Sequence, residues 1–222
     1  MKKNEELEKD FKPIVIYAIL TLFLVSFVMG IILGITGHMD MLETEEGIGL
    51  IGVLNTFISD LIIAPMFIFL YRKKIMTDIK SFKVKYVIMA ALTAIFLAIA
   101  STMISALFEM LSIPMENQSM VVDAMKKMPI ATSIVLIVLA PIVEEFVFRY
   151  SIFTFTKNPR NAILVSSILF ALVHVIGIAT LLYFFMGACF GLLYYKTNKN
   201  IGASVLAHAI NNALSVISMI LI

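Results

Sequence analysis

The 222 residues contain no tryptophan and one cysteine, and only 14% of them are charged. A single cysteine, Cys189, excludes an intramolecular disulfide and any multi-cysteine metal site. The shortage of charge, set against 61% hydrophobic residues, excludes an ordinary soluble domain. Such domains carry about 25% charged and about 45–50% apolar residues. A soluble fold of this length could not hide so much apolar surface, so the bilayer is the expected solvent. The formal net charge of +2 carries no signal for a nucleic-acid partner. The N-terminal apolar stretch, 13–37, lacks a small-residue cleavage site and is about twice the length of a signal-peptide core. It is expected to remain as an anchor.

What the chain does have is long apolar runs. A helix needs about 20 apolar residues to cross about 30 Å of hydrocarbon. The pattern predicts an all-α, polytopic bundle with spans near 13–36, 48–71, 86–111, 129–156, 161–176, 179–195 and 201–222. The fifth and sixth come from a stretch of 35 residues between Arg160 and Lys196 that holds no Lys, Arg, Asp or Glu. That stretch is too long for one span, and Gly177 near its middle predicts a tight turn between two short helices. The segment 116–128 is read either as a short interfacial helix, with Met120, Ala124, Met125 and Met128 on one face, or as an ordered loop.

Basic residues set the orientation. Lys2, Lys3, Lys9 and Lys12 precede the first span; Arg72, Lys73, Lys74, Lys80, Lys83 and Lys85 follow the second. Lys157 and Arg160 follow the fourth, and Lys196 and Lys199 follow the sixth. Only Lys126 and Lys127 lie in the intervening loops, one of which is acidic with Glu43, Glu45 and Glu46. The positive-inside rule then predicts a cytoplasmic N-terminus, seven crossings and an outside C-terminus, in an integral protein of the plasma membrane. One membrane domain is expected, with helices 1–3 in 1–111 and the chemistry-bearing core in 112–222.

Polar residues inside spans are costly and point to function. The fourth span reads Pro141-Ile-Val-Glu144-Glu145-Phe-Val-Phe-Arg149. Glu145 and Arg149 are one turn apart and can pair. Glu144 lies about 100° round the helix and is left over, as a general base would be. A buried ion network is the structural alternative. The fifth span carries Phe170-x-x-x-His174, whose spacing stacks ring on ring, and the seventh carries His208-Ala-Ile-Asn211-Asn212. His208 and Asn212 share a face, although periodicity alone does not choose between the two asparagines.

Counted from their basic loops, Glu144, His174, His208 and Asn212 lie 9–14 residues deep. At about 1.5 Å per residue that is about 14–21 Å, in the cytoplasmic half to the middle of the membrane. A shared depth on three helices predicts a common site.

These three motifs resemble those of the CAAX protease and bacteriocin-processing family, the Abi or type II CAAX prenyl endopeptidase group. Gly187-x-x-x-Gly191 and the Lys196-Thr197-Asn198 turn are also similar to it. The resemblance covers about 112–222. It implies an intramembrane endopeptidase in which Glu144 and His174 activate water and His208 and Asn212 bind the oxyanion. Glu145, Arg149 and Phe170 would be supports. The expected substrate is a peptide or protein with a membrane-associated or lipidated segment. No cofactor is required in that mechanism. Zn²⁺ held by Glu144, His174 and His208 is the alternative, although the His-Glu-x-x-His pattern of zinc proteases is missing. A non-catalytic immunity or signalling-modulator protein on the same fold and a proton-coupled transporter are the competing functions. No second copy of the Glu-Glu segment supports the transporter. Elsewhere, Asn55 and Asp60 lie five apart in the second span and off a common face. Asp60 is a candidate to border the site, and His38 is expected to be solvated.

Overall fold

The computed structural model describes residues 10–112, 116–156, 158–174 and 180–221, without the side chains of Glu45, Glu46 and residues 116–120. Lys2, Lys3, Lys9, Lys157, Gly177 and the Met120 side chain lie outside the described residues. The described residues are helical, with no strand.

Among the described residues seven apolar helices stand where seven spans were expected. Five are long and apolar enough to cross a membrane: α1 (Lys12–Thr36), α2 (Glu45–Leu70), α4 (Val84–Met110), α6 (Pro129–Phe155) and α9 (Ile201–Leu221). The other two, α7 (Pro159–His174) and α8 (Thr180–Lys196), have 16 and 17 residues. Local chemistry sets the ends. Gly37 closes α1 in the left-handed conformation at φ 76°, and the Thr44 side chain caps α2 by accepting the Gly47 N–H at 3.1 Å.

Among the described residues two α-helices lie outside the spans. The stretch 116–127 is a helix, α5 (Glu116–Lys127), packed through buried Ala124 and Met125. The basic loop after α2 also holds a helix, α3 (Arg72–Lys80), which hydropathy did not predict. Its Asp78 is buried and holds the start of α9. The carboxylate accepts the Ile201 N–H at 2.8 Å and the Lys74 ammonium at 2.6 Å, and the Asp78 carbonyl accepts the Asn200 amide at 2.9 Å. Asn200 in turn caps α9 by accepting the Ala203 N–H at 3.1 Å.

Large apolar side chains cover the outside of the bundle, as a lipid-facing surface requires. Burial inside the protein is greatest for α6, at 44% of its apolar window against 17–28% for the other four long spans. The core therefore forms around α6. Phe67 of α2 and Tyr71, which caps its end, meet Phe146 at ring distances of 5.7 and 5.1 Å, and Tyr71 meets Tyr150 at 5.0 Å. On the other side α7 and α8 pack closely because Gly187 has no side chain. A Cβ there would stand 2.9 Å from the Ser167 Cα. The same Cβ at Gly191 would make an ordinary 3.5 Å contact with Ile163.

Candidate active site

The helix that carries the two glutamates is irregular, and one proline explains part of this. Pro141 has no N–H to give to the preceding turn. The neighbouring Ala140 N–H reaches back five residues to the Val135 carbonyl, so 135–139 is a π segment. In that register the carbonyl facing position 141 is Leu136, which is left without a backbone donor. Asn212 of α9 supplies one, donating its amide to Leu136 O at 2.8 Å. A second π segment, Glu145–Ser151, carries Glu145 and Arg149.

Glu145 and Arg149 form the buried base of the site, both fully enclosed. The Arg149 Nε stands 3.3 Å from Glu145 Oε2, and its NH2 group donates to the Gly187 carbonyl at 3.4 Å. The guanidinium lies over the Phe170 ring at 4.6 Å and near Phe190 at 5.4 Å. Glu145 does more than balance this charge. It accepts the Ser204 hydroxyl and, at 3.0 Å, the His208 Nδ1–H. Phe190 stacks on His208 with centroids 4.7 Å apart, so the imidazole is fixed both in its plane and at one nitrogen.

His174 is fixed by parallel means. Its Nδ1–H donates to the Phe170 carbonyl at 2.7 Å, and its ring lies between Phe170 at 4.4 Å and Tyr183 at 4.7 Å. A carbonyl and a carboxylate can only accept, so Nδ1 of both histidines carries hydrogen. Their Nε2 atoms both turn to the leftover carboxylate. Glu144 Oε2 lies 3.7 Å from His174 Nε2 and 3.8 Å from His208 Nε2. That oxygen is closed off and has no hydrogen-bond partner. Exposure is 16% for the Glu144 side chain, 20% for His174 and 4% for His208, so the site opens on the His174 side.

Glu144, His174 and His208 thus come together from α6, α7 and α9. Asn212 is one helical turn beyond His208, and Asn211 is buried and donates to the Asn212 Oδ1 at 3.4 Å. Sequence reasoning missed Ser204, Phe190 and Leu136. Ser204 was in principle legible, four residues before His208 on the same face. Leu136 was legible only as the position five before a proline.

His38 is exposed, as expected. Asn55 ties α2 to α1 through the Thr21 carbonyl at 3.2 Å. Asp60 is 2% exposed.

Residues 126–214 match the family model described as type II CAAX prenyl endopeptidase Rce1-like. The chain is 36% identical over 105 residues to a Bacillus subtilis (strain 168) protein named "Putative membrane peptidase YdiL", covering 46% of this chain and 42% of that protein. It is 39% identical over 75 residues to "UPF0177 protein YaiH" of Lactococcus lactis subsp. lactis (strain IL1403), covering 34% of this chain and 32% of that protein. The matches thus span less than half the length of either relative. No solved structure matches. The resemblance read from the three motifs is shown, and the matched segment holds every residue of the three-helix cluster.

Proposed function

We propose that the chain is an intramembrane endopeptidase that hydrolyses peptide bonds of membrane-associated or lipidated peptides. One observation carries the reading. An enclosed carboxylate oxygen, Glu144 Oε2, has no hydrogen-bond partner, yet two oriented imidazoles face it at 3.7 and 3.8 Å. Those gaps are too long for direct hydrogen bonds and suit a bridging water.

The chemistry follows from the donors and acceptors. The water gives one hydrogen to Glu144 Oε2 and one to His174 Nε2, which leaves a lone pair for a carbonyl carbon. As the C–O bond forms, Glu144 takes the proton and the carbonyl oxygen becomes an oxyanion. His208, gripped by Glu145 and facing Glu144, serves as imidazolium and donates its Nε2–H to that oxyanion. Asn212 adds its second amide N–H, the first being held by Leu136. Breaking the C–N bond then needs a proton on the leaving nitrogen.

Glu144, His174 and His208 are also the residues that would hold Zn²⁺, which would supply Lewis-acid activation of the water. Tetrahedral bonds of about 2.0 Å put donor atoms about 3.3 Å apart. Here the carboxylate oxygen is 3.7 and 3.8 Å from the nitrogens. Among the described residues no three His, Cys, Asp or Glu side chains are grouped to hold an ion. The arrangement suits a water better than the ion.

Our reading sets the site in the cytoplasmic half to the middle of the plasma membrane, an orientation that the positive-inside pattern supports. Its partners are then the lipid bilayer and a peptide or protein with a membrane-associated segment, and no nucleic acid. Asn212→Ala is expected to lower kcat by about 10²–10³ with KM little changed, the usual loss for one oxyanion donor. Asn212→Asp should be at least as damaging, and activity should survive exhaustive chelation. Stoichiometric zinc whose removal stops cleavage and whose return restores it would overturn the water mechanism.

A further inference from the structure

The segment that joins α2 to α4 is short of negative charge. Between Tyr71 and Tyr86 lie six cations, Arg72, Lys73, Lys74, Lys80, Lys83 and Lys85, and one carboxylate, Asp78. Asp78 is buried and engaged by Lys74 at 2.6 Å. The other five cations are exposed, and among the described residues none of them pairs with a carboxylate.

The helix α3 sorts these residues by face, since successive positions turn by about 100°. Lys74, Ile75 and Asp78 face the protein. Met76 and Ile79, 53% and 62% exposed, form an adjacent apolar edge. Lys73, Thr77 and Lys80, all exposed, form the next edge. At the first turn of α4, exposed Val84 likewise stands between exposed Lys83 and Lys85. A helix that joins two spans and carries an apolar edge beside a basic one suits the boundary between headgroups and acyl chains. Lysine is well made for that place, because its apolar stem lies along lipid while its ammonium reaches a phosphate.

We propose that α3 and the start of α4 form a docking surface for anionic phospholipid, with Lys73, Lys80 and Lys83 on the headgroup and Met76 and Ile79 among the acyl chains. Five unanswered positive charges select an anionic headgroup over a zwitterionic one. The apolar edge selects a lipid over a free phosphate ion, which makes no contact with Met76 or Ile79. The surface is mounted on the turn that begins α9. Lys74 donates to the Lys199 carbonyl at 2.9 Å, and Asp78 accepts the Ile201 N–H at 2.8 Å. A lipid bound to α3 therefore steadies the start of the helix that carries His208 and Asn212.

The test titrates the purified full-length protein, in a neutral detergent, with phosphatidylglycerol, phosphatidylcholine or inorganic phosphate. Bound lipids are counted by native mass spectrometry, and the melting midpoint is recorded alongside. The wild type should bind phosphatidylglycerol more tightly than phosphatidylcholine, and its midpoint should rise with the bound lipid. That preference should shrink between about 0.01 and 1 M salt, as the screening length falls from about 30 to about 3 Å. Combining Lys73→Gln, Lys80→Gln and Lys83→Gln should weaken phosphatidylglycerol about 10²-fold, about fivefold for each charge, and leave phosphatidylcholine unchanged. Met76→Gln with Ile79→Gln should weaken both lipids. The three matching Lys→Arg changes keep the charge and should keep the preference, which decides the question should the glutamine variant fail to fold. Equal affinity of the wild type for the two lipids would overturn the proposal. So would a glutamine variant with the wild-type preference, arginine changes that abolish it, or inorganic phosphate raising the midpoint as far as phosphatidylglycerol does.

Discussion

Replacing Glu145 with Gln would separate the support from the chemistry. The carboxylate is fully buried and serves three partners: Arg149 Nε at 3.3 Å, His208 Nδ1 at 3.0 Å and the Ser204 hydroxyl. An amide keeps the shape but removes the charge, and Arg149 is fully buried too. Removing one partner of a buried pair costs about 3–5 kcal/mol, because the remaining charge stays uncompensated. The stacking on Phe170, worth about 0.5–2 kcal/mol, and the long bond to the Gly187 carbonyl, worth at most about 1.5–3 kcal/mol, offset only part of that. Against a total stability of about 5–15 kcal/mol the loss is large. Membrane levels and the thermal midpoint in detergent should both fall. Adding Arg149→Met removes the stranded charge, so the double variant should regain most of the lost stability. It should not regain activity, since His208 still lacks the carboxylate that orients it. A Glu145→Gln protein that melts like the wild type, or a double variant no more stable than the single, would refute this reasoning.

Asp78→Ala removes the acceptor for the Ile201 N–H and for Lys74, at the start of the helix that carries His208. It should lower stability by about 1.5–3 kcal/mol, the worth of a buried hydrogen bond to a charged group, and a melting midpoint equal to the wild type would contradict the clamp. Reporter fusions after Lys85, Arg160 and Lys199 should read cytoplasmic, and fusions near Glu43 and Lys126 should read outside. An outside signal at Lys199 would break the two-short-helix reading of residues 161–195.

The spans were legible because apolar runs and basic loops are properties of composition along the chain. Even the division into α7 and α8 followed from an uncharged stretch too long to cross once. Glu144, Glu145, Arg149, His174 and His208 were legible because an ionisable group in an apolar helix needs a reason. The helix α3 was hidden, since hydropathy reports lipid contact and α3 is held by Asp78 to another segment's backbone. The second role of Glu145 was also hidden. Spacing of four pairs it with Arg149, whereas its bonds to Ser204 and His208 depend on how α9 packs against α6. The π register around Pro141 likewise appears only once the backbone is built.

The most direct measurement on the central claim compares membranes from a deletion strain complemented with wild type or with Glu144→Gln, at matched protein levels. Peptides that accumulate are identified by mass spectrometry. Among the described residues Glu144 pairs with no Lys or Arg, so the variant should fold and insert normally. Its cleavage should fall by about 10²–10⁴, the usual worth of a general base. The account predicts that the Glu144→Gln membranes accumulate the same uncleaved species as the deletion strain. A Glu144→Gln strain whose peptide set matches the wild type, in which the deletion strain still accumulates precursor, would contradict it.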